Sequence, residues 1–425
     1  MHNWISLAPV LNLRSPEQTI TQRLLSNNIN RPQQWQTMKK QLFIFGYLVP
    51  AFLLISYPLQ SVAKDLTIEP SLTTRIIYDD NLDFDDKDEI DDFGANATPG
   101  LTLNYNTVLG ETSLYGELDI IKYFNETDFD RTNQLYGFDG RYRLFPRWTF
   151  TGDFEYRRDE TIDSQLRDTG RVSQRNRQTT YEGGGGVFYL LTELTDIGFT
   201  TDYRKRDYGS NDDSGYDRYI FSLPFTKRFT NQRDTLTLEP AHTIFNSDGE
   251  EDAKDYRFVV GWERQISETL TFQLNSGIRY TDIENEDGKN DDSWGYLGKF
   301  SLRKTGETFS GDITASRDIR ANTDAEIVEI NRLILRVDKQ LRERLGFRFY
   351  GAGYYSNTES NQAASDRVIY FELKPSGYFL LTENFSLDLV YTYQRGKELN
   401  EPGNTVTQRN RVWLGLTLKF PKKWE

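Results

Sequence analysis

Hydrophobic and polar residues alternate along much of the chain, most regularly in the C-terminal segment 382–420, where Val390 is the one exception. The apolar positions of its two runs are Phe385, Leu387, Leu389, Tyr391, Tyr393, Val412, Leu414, Leu416, Leu418 and Phe420. A period of two residues predicts β-strands that have one apolar and one polar face. In a soluble sandwich the apolar face points inward, whereas in a barrel surrounded by lipid it points outward and the polar face lines the interior.

The same pattern recurs from residue 65 onward and predicts 18 strands. They span residues 67–78, 93–107, 111–125, 132–144, 148–160, 175–190, 194–208, 216–229, 233–246, 253–265, 269–282, 292–304, 307–318, 326–340, 344–357, 366–380, 385–397 and 406–419. Tight turns alternate with longer acidic loops between these strands, which is typical of an outer-membrane barrel with short periplasmic turns and long external loops. The pattern therefore predicts an all-β fold: a transmembrane, antiparallel, up-and-down β-barrel of about 18 strands.

Aromatic and proline positions add two expectations to this barrel. Aromatic residues near strand ends favour two interfacial girdles, and the candidates are Tyr78, Trp148, Tyr208, Tyr280 and Trp294. Because proline has no N–H to donate to a ladder, we expect the prolines to lie near turns or strand ends. These prolines are Pro99, Pro146, Pro224, Pro240 and Pro375.

Composition excludes several other classes of protein. Mean hydropathy is low at −0.67, yet aromatic residues make up 14% of the chain, which argues against disorder. Cysteine is absent and the net charge is −13, so neither a disulfide framework nor a nucleic-acid backbone partner is expected. No segment has 18 clean apolar residues, so a bundle of membrane-spanning helices is excluded.

The pattern of the N-terminal region predicts a targeting segment. A basic start at Met38, an apolar stretch over 42–59 and small residues before Ala63 predict a signal peptide over 38–63, cleaved between Ala63 and Lys64. A single membrane anchor is the alternative. We interpret residues 1–37 as a non-native extension produced by a misassigned start site, and residues 64–425 as the barrel.

Candidate chemistry is sparse. His242 is the only histidine in the predicted barrel and no nucleophile motif accompanies it, so an enzyme is not expected and no cofactor is implied. A dedicated metal site is not expected either. The acidic loop that follows Tyr78 offers weak divalent-cation candidates, although a solvated loop is the simpler interpretation. These candidates are Asp83, Asp85, Asp86 and Asp88.

The polar face of the strands carries many arginines, which suit carboxylate recognition because the guanidinium is planar and always charged. The predicted lumen-lining residues include Arg75, Arg141, Arg143, Arg157, Arg204, Arg218, Arg257, Arg279, Arg303, Arg332, Arg336, Arg348 and Arg411, with Asp153, Glu155 and Asp388 among the acidic ones. This pattern favours a hydrated conduit that tolerates anions. Cross-strand ion pairs that only stabilise the wall are the alternative for each arginine.

Four short motifs resemble the porin-2-like family of outer-membrane β-barrel proteins, over about residues 66–420. They are Tyr78-Asp79-Asp80-Asn81, Thr98-Pro99-Gly100-Leu101, the repeated Leu-Thr-Glu turns at 191–193 and 381–383, and the ending 413–420. The ending is also similar to the assembly signal of such barrels, but here five residues follow Phe420. The resemblance implies a barrel without catalytic residues and an association with exopolysaccharide or exosortase gene clusters.

These observations predict a channel in the outer membrane of a Gram-negative cell that passes polar solute, with exopolysaccharide or its fragments as the leading class. A general diffusion porin is the first alternative, and the longest loop, 160–174, is its candidate constriction. A structural or adhesive surface barrel with a plugged lumen is the second. The expected partners are outer-membrane lipid, the barrel-assembly machinery, polysaccharide and an export partner, and no nucleic acid.

Overall fold

The computed structural model describes residues 65–171, 175–209, 214–248, 251–285, 290–321, 327–358, 367–400 and 403–424. The predicted extension over 1–37, the signal peptide over 38–63 and the cleavage position at Ala63 and Lys64 lie outside the described residues.

The described residues form one antiparallel sheet of twenty strand segments. The segments are β1 (Asp65–Asp79), β2 (Asp92–Asn106), β3 (Gly110–Tyr123), β4 (Arg131–Phe145), β5 (Trp148–Glu160), β6 (Arg177–Thr192), β7 (Thr195–Tyr208), β8 (Tyr216–Ser222), β9 (Phe225–Arg228), β10 (Asp234–Ser247), β11 (Glu251–Ser267), β12 (Leu270–Asn285), β13 (Asn290–Thr305), β14 (Phe309–Ala321), β15 (Ile327–Arg342), β16 (Leu345–Thr358), β17 (Arg367–Thr382), β18 (Phe385–Asn400), β19 (Gly403–Lys419) and β20 (Lys422–Trp424). Two short helices interrupt the strands: a 3-10 turn at Thr127–Phe129 and α1 at Thr161–Asp168. Neither helix in the described residues is long and apolar enough to cross a bilayer.

The sheet closes on itself as a barrel of 18 strands. β8 and β9 both pair with β7 and β10, so together they form one interrupted strand. β19 and β20 both pair with β1 and form the last strand, which brings the two ends of the sheet together. The fold and strand number predicted from the alternation are therefore confirmed.

The first strand begins and the last strand ends at the short-turn end of the barrel, where the two strands pair. β1 pairs with β19 from Ser71 opposite Lys419 to Asp79 opposite Arg411. The segment that follows Phe420 in the sequence continues the last strand, because β20 pairs with residues 66–68 of β1. β1 is thus joined to the last strand along nearly its full length, which leaves no free edge on β1 there.

The expectation for the prolines is wrong at three positions. Pro99, Pro240 and Pro375 lie inside β2, β10 and β17 rather than near strand ends. The β2–β3 and β17–β18 ladders skip the positions around Pro99 and Pro375, because proline cannot donate a ladder hydrogen bond. Long strands tolerate this loss, since the pairing resumes on both sides of the gap.

The apolar face of the strands points away from the barrel interior. Leu389 is 55% exposed and Leu414 is 47% exposed, and Leu387 and Leu416 are partly exposed. Exposed apolar side chains recur on strand after strand, for example at Ile76, Leu101, Phe199, Phe258, Leu274, Leu333, Ile369 and Leu373. A soluble protein does not expose a continuous apolar belt of this kind. A dry sandwich is therefore excluded, and the belt is suited to lipid.

Aromatic pairs lie at both rims of this belt. At the long-loop end the Tyr280 and Trp294 ring centroids are 5.2 Å apart, and at the short-turn end those of Trp148 and Tyr189 are 4.7 Å apart. Tyr208 is an exception to the predicted girdle, because its hydroxyl accepts a hydrogen bond from Gln165 of α1. Tyr208 therefore belongs to the interior of the barrel.

One ladder stops partway. β13 and β14 pair only from Gly298 opposite Arg317 down to Thr305 opposite Ser310. Above that point the described residues of β13 pair with β12 alone, and those of β14 pair with β15 alone. The β12–β13 hairpin and the β14–β15 hairpin are therefore not hydrogen-bonded to each other in the long-loop half of the wall.

Candidate functional site

The loop between β5 and β6 folds into the barrel and carries α1. Ile162 and Leu166 are four residues apart, so they share one face of the helix, and each is 1% exposed. They pack against Val328 of β15 and Tyr370 of β17. β15 and β17 lie about half the ring away from β5 and β6. The loop therefore crosses the interior and docks on the opposite wall.

Polar contacts fix the end of α1 on that wall. The Tyr354 hydroxyl donates a hydrogen bond of 2.8 Å to the Arg167 carbonyl, and the Arg171 Nε donates one of 2.8 Å to the Ser356 hydroxyl. Gly170 follows the helix with a φ of 74°, and a Cβ there would lie 2.9 Å from the Cβ of Tyr354. Glycine is thus required by both the left-handed backbone and the close approach to the wall.

Two carboxylates of α1 are held by arginines of the wall. Asp163 lies 3.3 Å from the Arg131 Nε, and Asp168 lies 2.8 Å from an Arg206 nitrogen and 3.6 Å from one of Arg320. Burial acts to raise the pKa of both carboxyls. The arginines outweigh it and hold the pKa of both Asp163 and Asp168 below the ordinary value. Both carboxylates are therefore ionised at neutral pH, and they anchor the helix through charge.

A second loop, residues 80–91, also turns inward. Leu82 is fully buried against Ile121 and Tyr123, and the Phe84 ring lies 6.4 Å from that of Tyr370. Tyr370 is also in the cluster that receives α1. The two loops therefore meet on the same part of the wall.

One of the acidic candidates in this loop, Asp85, stabilises a turn. The Asp85 carboxylate accepts hydrogen bonds from the backbone N–H groups of Lys87 and Asp88, at 2.8 and 3.2 Å. In the described part of the chain, no three His, Cys, Asp or Glu side chains come together in a metal-binding group, and this includes Asp83 and Asp86. The divalent-cation hypothesis for Asp83, Asp85, Asp86 and Asp88 therefore stays a prediction.

Burial of the inward-facing positions changes along the strands. On β15, Val328 near the long-loop end is 0% exposed, whereas the side chain of Arg336 near the short-turn end is 54% exposed. β16 repeats the trend, from a fully buried Ser356 to an exposed Arg348. The long-loop half of the interior is therefore filled by α1 and the loops, while the short-turn half is open.

The open half contains a cavity of about 1030 Å³, which we call the vestibule. Its charged lining residues are Arg167, Arg303, Lys304, Asp312, Arg332, Arg336, Asp338, Arg348, Glu372, Lys374 and Asp388. Arg336 lies 3.1 Å from Asp312, and Arg348 lies 3.0 Å from Asp338. The lining carries more cations than carboxylates, so the vestibule attracts anions.

The predicted lumen residues fall into three groups. Arg303, Arg332, Arg336, Arg348 and Asp388 line the vestibule. A second cavity, of about 330 Å³, is lined by Arg141 and Asp153. The others lie on strands elsewhere in the wall: Arg75, Arg143, Arg157, Arg204, Arg218, Arg257, Arg279, Arg411 and Glu155.

Several residues of this third group form ion pairs with the wall itself. Arg157 lies 2.7 Å from Glu155, Arg204 lies 2.8 Å from Glu182, and Arg257 lies 3.1 Å from Asp255. Arg279 is buried and donates to Thr281, and Arg75 donates to Asn96 and lies over the Trp413 ring at 4.8 Å. Arg218 is half-buried opposite Arg204 in the ladder, Arg411 is half-buried opposite Asp79, and Arg143 is exposed near a short turn. For Arg157, Arg204, Arg257, Arg279 and Arg75, wall stabilisation is the interpretation that these contacts support.

The sequence interpretation missed the arginines that hold α1. Arg206 shares its strand face with the predicted Arg204, so the alternation alone could have identified it. Arg131 and Arg320 were assigned to loops, but β4 begins at Arg131 and β14 extends to Ala321. Their role depends on the inward path of α1, which the sequence pattern of the strands does not encode.

Comparisons with known proteins give a limited picture. No protein-family model matches the chain, and no curated protein matches it. The solved structures similar to it include OccK2 (OpdF) of Pseudomonas aeruginosa, with a TM-score of 0.45 and 9% identity over 84% of this chain and 98% of that one. The outer membrane protein opdK of Pseudomonas aeruginosa has a TM-score of 0.45 and 9% identity, over 84% of this chain and 99% of that one. OccAB4 of Acinetobacter baumannii has a TM-score of 0.42 and 11% identity, over 85% of this chain and all of that one. The functional argument therefore rests on this chain's own pairing, burial and charge.

Proposed function

We propose that this chain is an outer-membrane channel of a Gram-negative cell that passes polar solute and is narrowed by its own α1 loop. The apolar belt and its aromatic rims suit a bilayer, and the polar inner face suits water. Barrels of about 16–18 strands are wide enough to leave an aqueous channel unless a loop fills them. The solute class is a further proposal: the sequence resemblance favours polysaccharide or its fragments.

The observation that carries this proposal is the contrast between the two halves of the interior. A purely structural barrel needs no open, charged cavity, and a general diffusion porin needs no loop helix packed against the wall opposite its own strands. Here a vestibule of about 1030 Å³ ends at α1, whose Ile162 and Leu166 are buried against the far wall. This combination is suited to a restricted channel whose resting state conducts little.

Two alternatives make different predictions. A general diffusion porin is favoured by the inward path of the loop, since such porins have a constriction loop. A structural or adhesive barrel with a plugged lumen is favoured by the buried long-loop half. The first predicts large and stable conductance, and the second predicts no conductance even after the loop is loosened.

Single-channel recording in planar bilayers separates the three. We expect the full chain to give small or infrequent openings in potassium chloride, and a variant with a loosened α1 to give larger or more frequent ones. Large, permanently open steps from the parent chain would favour the diffusion porin. Silence from both proteins would contradict the channel proposal and leave the structural barrel.

A further inference from the structure

The upper end of the vestibule, directly beneath α1, holds three cationic side chains without a carboxylate partner. They are Arg167 of α1, Arg332 of β15 and Lys374 of β17, and we call them the cationic ceiling. The Arg167 Nε donates to the Asp163 carbonyl at 2.7 Å, and the Arg332 Nε donates to the Ser316 hydroxyl at 3.4 Å. Within the described residues, no carboxylate oxygen lies within 4.0 Å of any charged nitrogen of the three.

Two of the lower arginines of the same cavity are different. Arg336 is paired with Asp312, and Arg348 is paired with Asp338 and lies 3.7 Å from Asp388. Their positive charge is therefore largely compensated by the wall. Arg303 and Lys304 also have no carboxylate oxygen within 4.0 Å in the described residues, but both are exposed at the short-turn rim. Away from that rim, the uncompensated charge of the vestibule lies at its ceiling.

Three arginines and one carboxylate act on the Lys374 ammonium. Arg411, Arg167 and Arg75 repel it, and Glu372 attracts it. Glu372 is the carboxylate that lines the vestibule at this level, and its Oε2 already accepts hydrogen bonds from Tyr370 and Gln394. Like charges held together in a partly buried site repel each other, and an anion bound among them relieves that repulsion.

We propose that the cationic ceiling binds the carboxylate of a solute that reaches it from the short-turn end, which names a solute class for the channel function proposed above. Guanidinium groups bind a carboxylate through two parallel hydrogen bonds, and an ammonium adds a third donor. The partly exposed ring of Tyr350 lines the same cavity and is suited to contact with a sugar ring. A carboxylated saccharide therefore matches both features of the site.

The ceiling also links the solute to the position of the loop. Arg167 belongs to α1, whereas Arg332 and Lys374 belong to the opposite wall. A carboxylate bound by all three contacts the loop and the wall together, so it stabilises the docked loop. Undocking of the loop in turn disassembles the site and releases the carboxylate.

The test uses the purified full chain with glucuronate as the probe, glucose as the neutral control, and acetate and a short polyuronate as further arms. Binding is measured calorimetrically, and loop docking is measured as the rate of tryptic cleavage after Arg167 or Arg171. We expect glucuronate, but not glucose, to bind and to slow cleavage at least tenfold at saturation. If acetate binds as tightly as glucuronate, the solute is a small carboxylate. If the polyuronate binds more tightly than glucuronate, the solute is a polymer.

Matched variants decide whether the ceiling is the site. Lys374→Gln and Arg332→Gln each remove one uncompensated charge, and Arg336→Gln and Arg348→Gln each remove one compensated charge from the same cavity. We expect the first pair to weaken glucuronate binding at least tenfold and the second pair to weaken it less than threefold. Equal losses in both pairs would overturn the proposal. Absence of glucuronate binding to a chain that still conducts chloride would also overturn it, while leaving the channel function intact.

Discussion

The most informative perturbation is Leu166→Ala, because Leu166 holds α1 on the opposite wall without taking part in any strand pairing. Its side chain is 1% exposed and packs in the cluster that contains Val328 and Tyr370. The substitution leaves a cavity at this contact. The strand ladders that close the barrel are untouched, so the expected effect falls on loop docking alone.

The size of the effect follows from that burial. A fully buried Leu→Ala substitution costs about 2–5 kcal/mol in stability, depending on how far the surroundings relax. Because every 1.4 kcal/mol is a factor of ten, the ratio of undocked to docked loop rises roughly 30- to 4,000-fold. We therefore expect Leu166→Ala to convert a channel with small or rare openings into one with frequent, larger openings.

The assay is single-channel recording in planar bilayers, with tryptic cleavage of the loop as a second readout. Leu333→Ala is the matched control, since Leu333 lies on β15 with an exposed, lipid-facing side chain. The shift of the folded barrel on unheated gels shows that both variants keep their strands. Unchanged conductance and unchanged cleavage in Leu166→Ala would refute the docking argument.

Three further predictions concern charged groups. Asp168→Asn removes the partner of two wall arginines and should increase tryptic cleavage of the loop more than tenfold, which gel analysis measures; cleavage at the parent rate would contradict the anchoring role. The docked pKa values of Asp163 and Asp168 lie below the ordinary value of 3.8, so docking is fully stabilised above that value and weakens as the pH falls below it. Conductance should therefore not rise between pH 7 and about pH 5 and should rise only in stronger acid, and opening near pH 6 would count against this assignment. Arg409→Gln leaves Asp79 buried without its charged partner at the seam of first and last strands, where the pair distance is 2.6 Å. It should destabilise the barrel by about 3–5 kcal/mol, seen as a lower temperature of heat modification on gels, and an unchanged temperature would contradict the role of the pair.

The sequence was sufficient for the wall of the barrel. A period of two residues fixes which side chains share a face, so the lipid-facing positions such as Leu389 and Leu414 follow from the pattern alone. The alternation of short turns and long loops then gives the strand number. Strand ends were less accurate, because residues such as Arg131 and Arg320 are polar and their loops carry no sharp turn signal.

The sequence was not sufficient for the interior. Ile162 and Leu166 have helical spacing, but nothing nearby in the chain indicates that their partners are Val328 and Tyr370, far along the sequence. Docking of this kind depends on which loop fits the closed barrel in three dimensions. Strand register, rather than local sequence, likewise decides which vestibule arginines lie beside a carboxylate and which do not.

Cysteine labelling along β15 tests the central claim most directly, since the natural chain contains no cysteine. Single substitutions at Val328, Leu335 and Arg336 are exposed to a charged, membrane-impermeant thiol reagent from the short-turn side of barrels in sealed vesicles. We predict rapid labelling at position 336, protection by lipid at 335, and labelling at 328 only when Leu166→Ala is also present. Labelling at 335 faster than at 336, or at 328 as fast as at 336 with the loop intact, would contradict a water-filled barrel closed by its own helix.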